Sequence, residues 1–112
     1  LTGDHLGMQT SYYDNIITQP DYQRTVYNVF INSAVKPVAS TGRLFSSFDM
    51  YPTTLAAMGV KIDGDKLALG TNLFSDSETL VEKYGTIEAL NSELAKRSSF
   101  YEKQIFLSKQ QP

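Results

Sequence analysis

The chain contains no cysteine, so disulfides and thiolate metal sites are excluded, and the redox compartment is left open. It has a single histidine, His5, and imidazoles alone therefore cannot build a metal site. No apolar run approaches the roughly 20 residues that span a bilayer. Charge is scarce and balanced: ten basic against twelve acidic residues leave a net charge of −2, with no attraction for nucleic acid or for a polybasic membrane contact. No Gly-rich phosphate loop joins a strand to a helix, and Gly64 and Gly70 read as turn residues. The sequence opens on Leu1-Thr2-Gly3-Asp4-His5 without Met or signal peptide, as if a strand had been cut through. The expectation is an excised portion of a longer protein.

What remains is globular in composition. At 112 residues, with 41% hydrophobic and 20% charged residues, the chain fits one domain or part of one. A chain of this size can bury roughly 60–70% of the surface it exposes when unfolded. Residues 1–2 read as a strand end and 3–9 as a loop. Residues 11–19 are polar and aromatic, and Pro20 breaks any helix there. Residues 24–32 alternate with apolar side chains on both faces, which predicts a buried strand. Residues 48–58 predict a helix capped by Asp49, with Pro52 in its first turn and a stop at Gly59. Asp63-Gly64-Asp65 is a turn, and 70–75 a loop. Asp76 or Ser77 caps a short helix ending at Tyr84-Gly85. Thr86 caps a last helix with apolar positions Ile87, Leu90, Leu94, Tyr101 and Ile105, and 108–112 frays.

Asp4 and His5 are the sharpest chemical feature. A carboxylate and an imidazole suit a divalent metal, and Gly3 and Gly7 allow backbone to approach a ligand. An Asx-turn aspartate beside a surface histidine is the commoner fate of such a pair taken alone. Thr2, Thr10, Ser11 and Thr53 carry hydroxyls but have no second His or Lys at motif spacing to act as base, so they read as surface or capping groups. Arg24 and Arg43 could bind phosphate or carboxylate; a solvated or salt-bridged arginine is the plainer reading of each. Asp49 reads as a helix cap rather than a catalytic acid.

Three segments in order resemble one family. Thr2-Gly3-Asp4-His5-Leu6-Gly7-Met8 is similar to the late metal-binding motif of sulfatase-like phosphotransferases. Arg43-Leu44-Phe45-Ser46-Ser47-Phe48-Asp49-Met50-Tyr51-Pro52-Thr53-Thr54-Leu55 resembles the segment in which such enzymes have an Asp, a Pro-Thr and a leucine-rich helix. Leu67-Ala68-Leu69-Gly70-Thr71-Asn72-Leu73-Phe74-Ser75 resembles the Leu-Gly-Leu-Gly-x-x-Leu-x-Ser stretch of phosphoglycerol transferases, including those of osmoregulated periplasmic glucans and, more distantly, lipoteichoic acid synthase. The match in order and spacing covers residues 1–75.

The resemblance implies an α/β, alkaline-phosphatase-like fold, a parallel-type sheet with flanking helices, of which residues 1–107 would be the C-terminal portion and 108–112 a tail. It implies a divalent metal, commonly manganese, with Asp4 and His5 as two of its ligands. The remaining acidic ligand, the threonine nucleophile and the substrate-binding His and Arg residues would lie upstream. The parent would move phosphoglycerol from phosphatidylglycerol to a glycan or polymer acceptor outside the bacterial cytoplasmic membrane, anchored there by helices that this chain lacks. Two protein ligands are too few to fix a catalytic ion, so the isolated chain is expected to be inactive. A sulfatase or phosphoethanolamine transferase portion, or a non-catalytic α/β interaction module, is the alternative. A strand severed from its sheet is also expected to self-associate.

Overall fold

A computed structural model of the chain describes residues 1–3, 5–17, 22, 24–39 and 41–107. Asp4, Pro20 and the tail 108–112 lie outside the described residues. The architecture is a mixed one of helices and a small sheet. Among the described residues that sheet has two antiparallel strands, so the expected parallel pairing is not found within them.

The polar, aromatic stretch expected to be irregular instead forms helix α1 (Thr10–Ile16). The Asn15 amide donates to the Ser11 carbonyl at 2.8 Å, one turn back, and the Tyr12 and Tyr13 rings meet edge to face at 5.4 Å. The strand expected over 24–32 reduces to one antiparallel bridge, Thr2 to Asn28, with Gly3 N–H donating to the Tyr27 carbonyl and Val29 N–H to that of Leu1, both at 2.9 Å. A ladder needs a partner of equal length, and residues 1–3 supply only this much. The alternation nevertheless sorts the side chains. Phe30 packs on Phe74 with ring centroids 5.5 Å apart, whereas Tyr27 and Ile31 are exposed.

The centre is built around helix α2 (Met50–Ala57), entered through a 3-10 turn, Ser47–Asp49. Pro52, Thr53 and Ala56 are buried, and the chain leaves the helix at Gly59 as expected. After a second 3-10 turn, Asp63–Asp65, strands β1 (Lys66–Leu67) and β2 (Gly70–Thr71) form a hairpin with Lys66 opposite Thr71 and Leu67 opposite Gly70. Residue 70 must be glycine, because a Cβ there would overlap the Phe48 carbonyl. The loop expected at 70–75 thus begins as a strand laid against the start of α2.

Helix α3 (Leu80–Tyr84) ends at Gly85 as expected. Its cap is Thr79 rather than Asp76 or Ser77: the Thr79 hydroxyl accepts from Glu82 N–H at 3.1 Å and Glu82 answers at Thr79 N–H at 2.9 Å, a capping box. Helix α4 (Ile87–Leu94) begins at Thr86, whose hydroxyl accepts from Ala89 N–H, and it buries Leu90. The expected continuous last helix is interrupted after Leu94. It resumes as α5 (Ser99–Tyr101), capped by Ser98, and runs into a π-helical turn, Glu102–Leu107. Ser98 bonds the Tyr101 N–H, the local competition by which serine opens a new helix rather than continuing an old one.

Candidate functional site

The first motif segment lines a cleft of about 580 Å³ whose walls include Gly3, His5, Leu6, Tyr13, Tyr22 and Arg24. Asp4, the carboxylate half of the expected metal pair, lies outside the described residues. His5 Nδ1 sits 2.8 Å from the Leu6 carbonyl. A carbonyl can only accept, so Nδ1 carries the proton in this contact, and a metal ligand role would fall to Nε2. The histidine therefore fits a metal ligand chemically. Among the described residues, no three His, Asp or Glu side chains come together at ligand spacing. Any ion held here through Asp4 and His5 would need further ligands.

A Cβ at residue 7 would collide with the Tyr13 ring and hydroxyl, so the glycine makes room for the tyrosine at the cleft wall. Tyr13 in turn carries Arg24, whose guanidinium carbon lies 4.2 Å from the ring centroid, while Arg24 Nη2 donates to the Gly7 carbonyl at 2.5 Å. Gly7, Tyr13 and Arg24 form one unit at the cleft wall. Sequence reasoning singled out the arginine and the glycine separately and missed Tyr13. Its only sequence signal was an aromatic within a segment too polar to read as a packed helix.

The second and third motif segments meet in a buried polar network. Asp49 is buried beside the first turn of α2, and its carboxylate does not cap that helix. Oδ2 instead accepts from Ser46 N–H at 2.8 Å, closing the 3-10 turn, and Oδ1 accepts from Thr71 N–H at 2.7 Å. The Thr53 hydroxyl donates to the Asp49 carbonyl at 2.5 Å and accepts from Leu73 N–H at 3.0 Å. Asn72 bonds Asp65 through its side-chain amide at 2.9 Å and accepts from Phe74 N–H at 3.0 Å. The Thr53 hydroxyl is engaged by backbone on two sides, as the plain reading of a structural hydroxyl requires. No family model, curated protein or solved structure matches this chain. The chemistry of these residues therefore stands on their own geometry.

Arg43 is a structural arginine. Its Nε and Nη2 make a bidentate pair with Glu82 at 2.7 and 2.8 Å, and its remaining contacts go to the Ser75 and Ser77 carbonyls, each at 2.7 Å. The bond to Glu82 raises the arginine's pKa further above its ordinary value. The same bond outweighs burial and holds the Glu82 carboxyl down at about 2. No guanidinium edge remains for a phosphate. Of the other hydroxyls considered, Thr2 donates to the neighbouring Gly3 carbonyl, and Thr10 and Ser11 open α1.

Proposed function

We propose that the chain is the C-terminal portion of a metal-dependent phosphoglycerol transferase of the alkaline-phosphatase/sulfatase superfamily, with Asp4 and His5 as two metal ligands. The parent would transfer phosphoglycerol from phosphatidylglycerol to a cell-envelope glycan or polymer at the outer face of the membrane. No described helix is long and apolar enough to cross a bilayer, so in this reading the anchor belongs to the rest of the parent. The nucleophile and the remaining ligands would also come from there, and the ion, manganese in this reading, would neutralise charge on the transferring phosphoryl group. Residues 1–107 would form the end of an alkaline-phosphatase-like domain.

The observation that carries the reading is at Ala68. The motif resembled has glycine at that position, and this chain has alanine. The backbone there has φ +53°, a conformation that glycine adopts freely and L-residues at a cost. The hairpin thus makes the demand that the motif's glycine answers, although the residue itself has changed. The engagement of Asp49 and Thr53 with the backbone of residues 71 and 73 adds a reason for the two motifs to occur together. A sulfatase or phosphoethanolamine transferase shares the metal pair but not this hairpin sequence.

The test uses the longer gene product, assayed for lipid-dependent phosphoglycerol transfer with bound metal measured in parallel. Asp4→Ala and His5→Ala are each expected to remove nearly all turnover and to lower metal content with the fold intact. Residues 1–112 alone are expected to show no turnover of a phosphodiester or aryl sulfate, with or without manganese. Near-normal rate and metal content in either variant would overturn the assignment.

A further inference from the structure

The two arginines of the motif-bearing region are treated oppositely by the fold. Arg43 spends its donors on a carboxylate and two carbonyls. Among the described residues, Arg24 makes one hydrogen bond, to the Gly7 carbonyl, rests on the Tyr13 ring and pairs with no carboxylate. It is half-buried in the wall of the 580 Å³ cleft that also holds His5 and Tyr22. A partly desolvated cation without a counter-charge is costly unless an anion completes it. The ring and the carbonyl fix the guanidinium plane and leave most of its five N–H donors for a second partner.

We propose that this cleft is an anion site in which Arg24 binds the non-bridging oxygens of a phosphate ester. The planar fork matches two oxygens of a tetrahedral phosphate. The volume falls in the range of small-molecule sites and exceeds what inorganic phosphate needs. Leu6 and Ile17 provide apolar wall, and Tyr13 and Tyr22 rings that suit a short polyol arm. The choice of phosphate over carboxylate rests on the phosphotransferase reading; that no carboxylate among the described residues pairs with Arg24 does not. Arg24 is a binding residue here, placed by Gly7 and Tyr13 on the same cleft as the metal-ligand candidate.

Calorimetric titration of residues 1–112 in EDTA tests this, with inorganic phosphate, sn-glycerol 3-phosphate and acetate as probes, and with phosphatidylglycerol and phosphatidylcholine vesicles. Glycerol 3-phosphate is expected to bind better than inorganic phosphate, acetate weakly, and soluble phosphate ester to displace phosphatidylglycerol vesicles. Arg24→Gln is expected to weaken phosphate-ester binding roughly 10- to 100-fold, the value of charge-assisted hydrogen bonds. Arg24→Lys should restore part of it. Unaltered binding in Arg24→Gln with an unchanged circular dichroism spectrum would overturn the proposal. So would acetate binding as well as phosphate ester, or binding of vesicles that no soluble phosphate displaces. In the longer protein, normal transfer with an unchanged KM in Arg24→Gln would overturn the anion site and leave the transferase reading standing. Absence of transfer together with Arg24-dependent phosphate binding would do the reverse.

Discussion

Asp49 and Glu82 are both carboxylates held by the fold, but they do different work. Asp49 accepts two backbone N–H groups and ties the start of α2 to β2. Glu82 is coupled to protons through Arg43, and its carboxyl is held at about 2 against an ordinary 4.5. A carboxylate depressed on folding stabilises the native state fully above its unfolded pKa, and that stability is lost as pH falls through the folded value. The expected profile is therefore flat above about pH 5.5, with a decline between about 4.5 and 2 amounting to at most about 3 kcal/mol. Urea midpoints measured from pH 7 to 2.5 check it. Glu82→Gln should lower the neutral-pH midpoint and flatten the acid slope, whereas an unchanged acid slope would mean that another group titrates.

Among the elements, the two-residue turn of the hairpin carries the clearest local strain. Ala68 sits at φ +53°, and an L-residue in the left-handed region costs roughly 1–2 kcal/mol. Glycine removes that cost and gives back part of it through the entropy of the unfolded chain. Ala68→Gly is expected to stabilise by about 0.5–1 kcal/mol, and Ala68→Val to destabilise. Urea denaturation of the two variants decides it, and a destabilised glycine variant would remove the strain argument.

The helices around this hairpin were legible where a cap, a stop and an apolar repeat coincide, as at Thr86 with Leu90 and at Gly59 and Gly85. The hairpin's strands were not, because two residues per strand carry no period and Gly70 reads as a loop until its approach to the Phe48 carbonyl is known. Helix α1 was hidden by its polarity. The candidate site was legible in part: Asp4, His5, Arg24 and Gly7 are visible as residue types, but the stacking of Arg24 on Tyr13 joins positions eleven apart in sequence, across a turn no local pattern encodes.

At the scale of the whole molecule, the described residues close little core of their own. Its radius of gyration is 18.0 Å, against about 13 Å for a compact domain of this length. The buried hydrophobic side chains of the described residues are Ala56, Val81 and Leu90, accompanied by buried polar groups such as Asp49, Thr53 and Thr79. Large apolar side chains meanwhile face solvent: Leu1 at 84%, Ile31 at 78%, Met58 at 72% and Tyr27 at 68% exposure. Leu1, Ile31 and Met58 line one shallow depression of about 510 Å³ between residues 28–33 and α2. In the same segment, the Asn28 side-chain carbonyl is buried and has no hydrogen-bond partner among the described residues. A segment with apolar side chains on both faces, one face bare and a polar atom unsatisfied, fits a strand made to lie inside a larger sheet. In isolation such a surface is relieved by a second copy, through edge pairing or exchanged elements. Residues 1–112 are therefore expected to form dimers or larger species whose fraction rises with concentration. Light scattering after gel filtration across a hundredfold dilution series is the measurement. Ile31→Lys together with Met58→Lys should shift the population toward monomer without altering the helical content. A monodisperse monomer that unfolds cooperatively at every concentration would show that the chain completes its own core and that residues 24–31 need no neighbour.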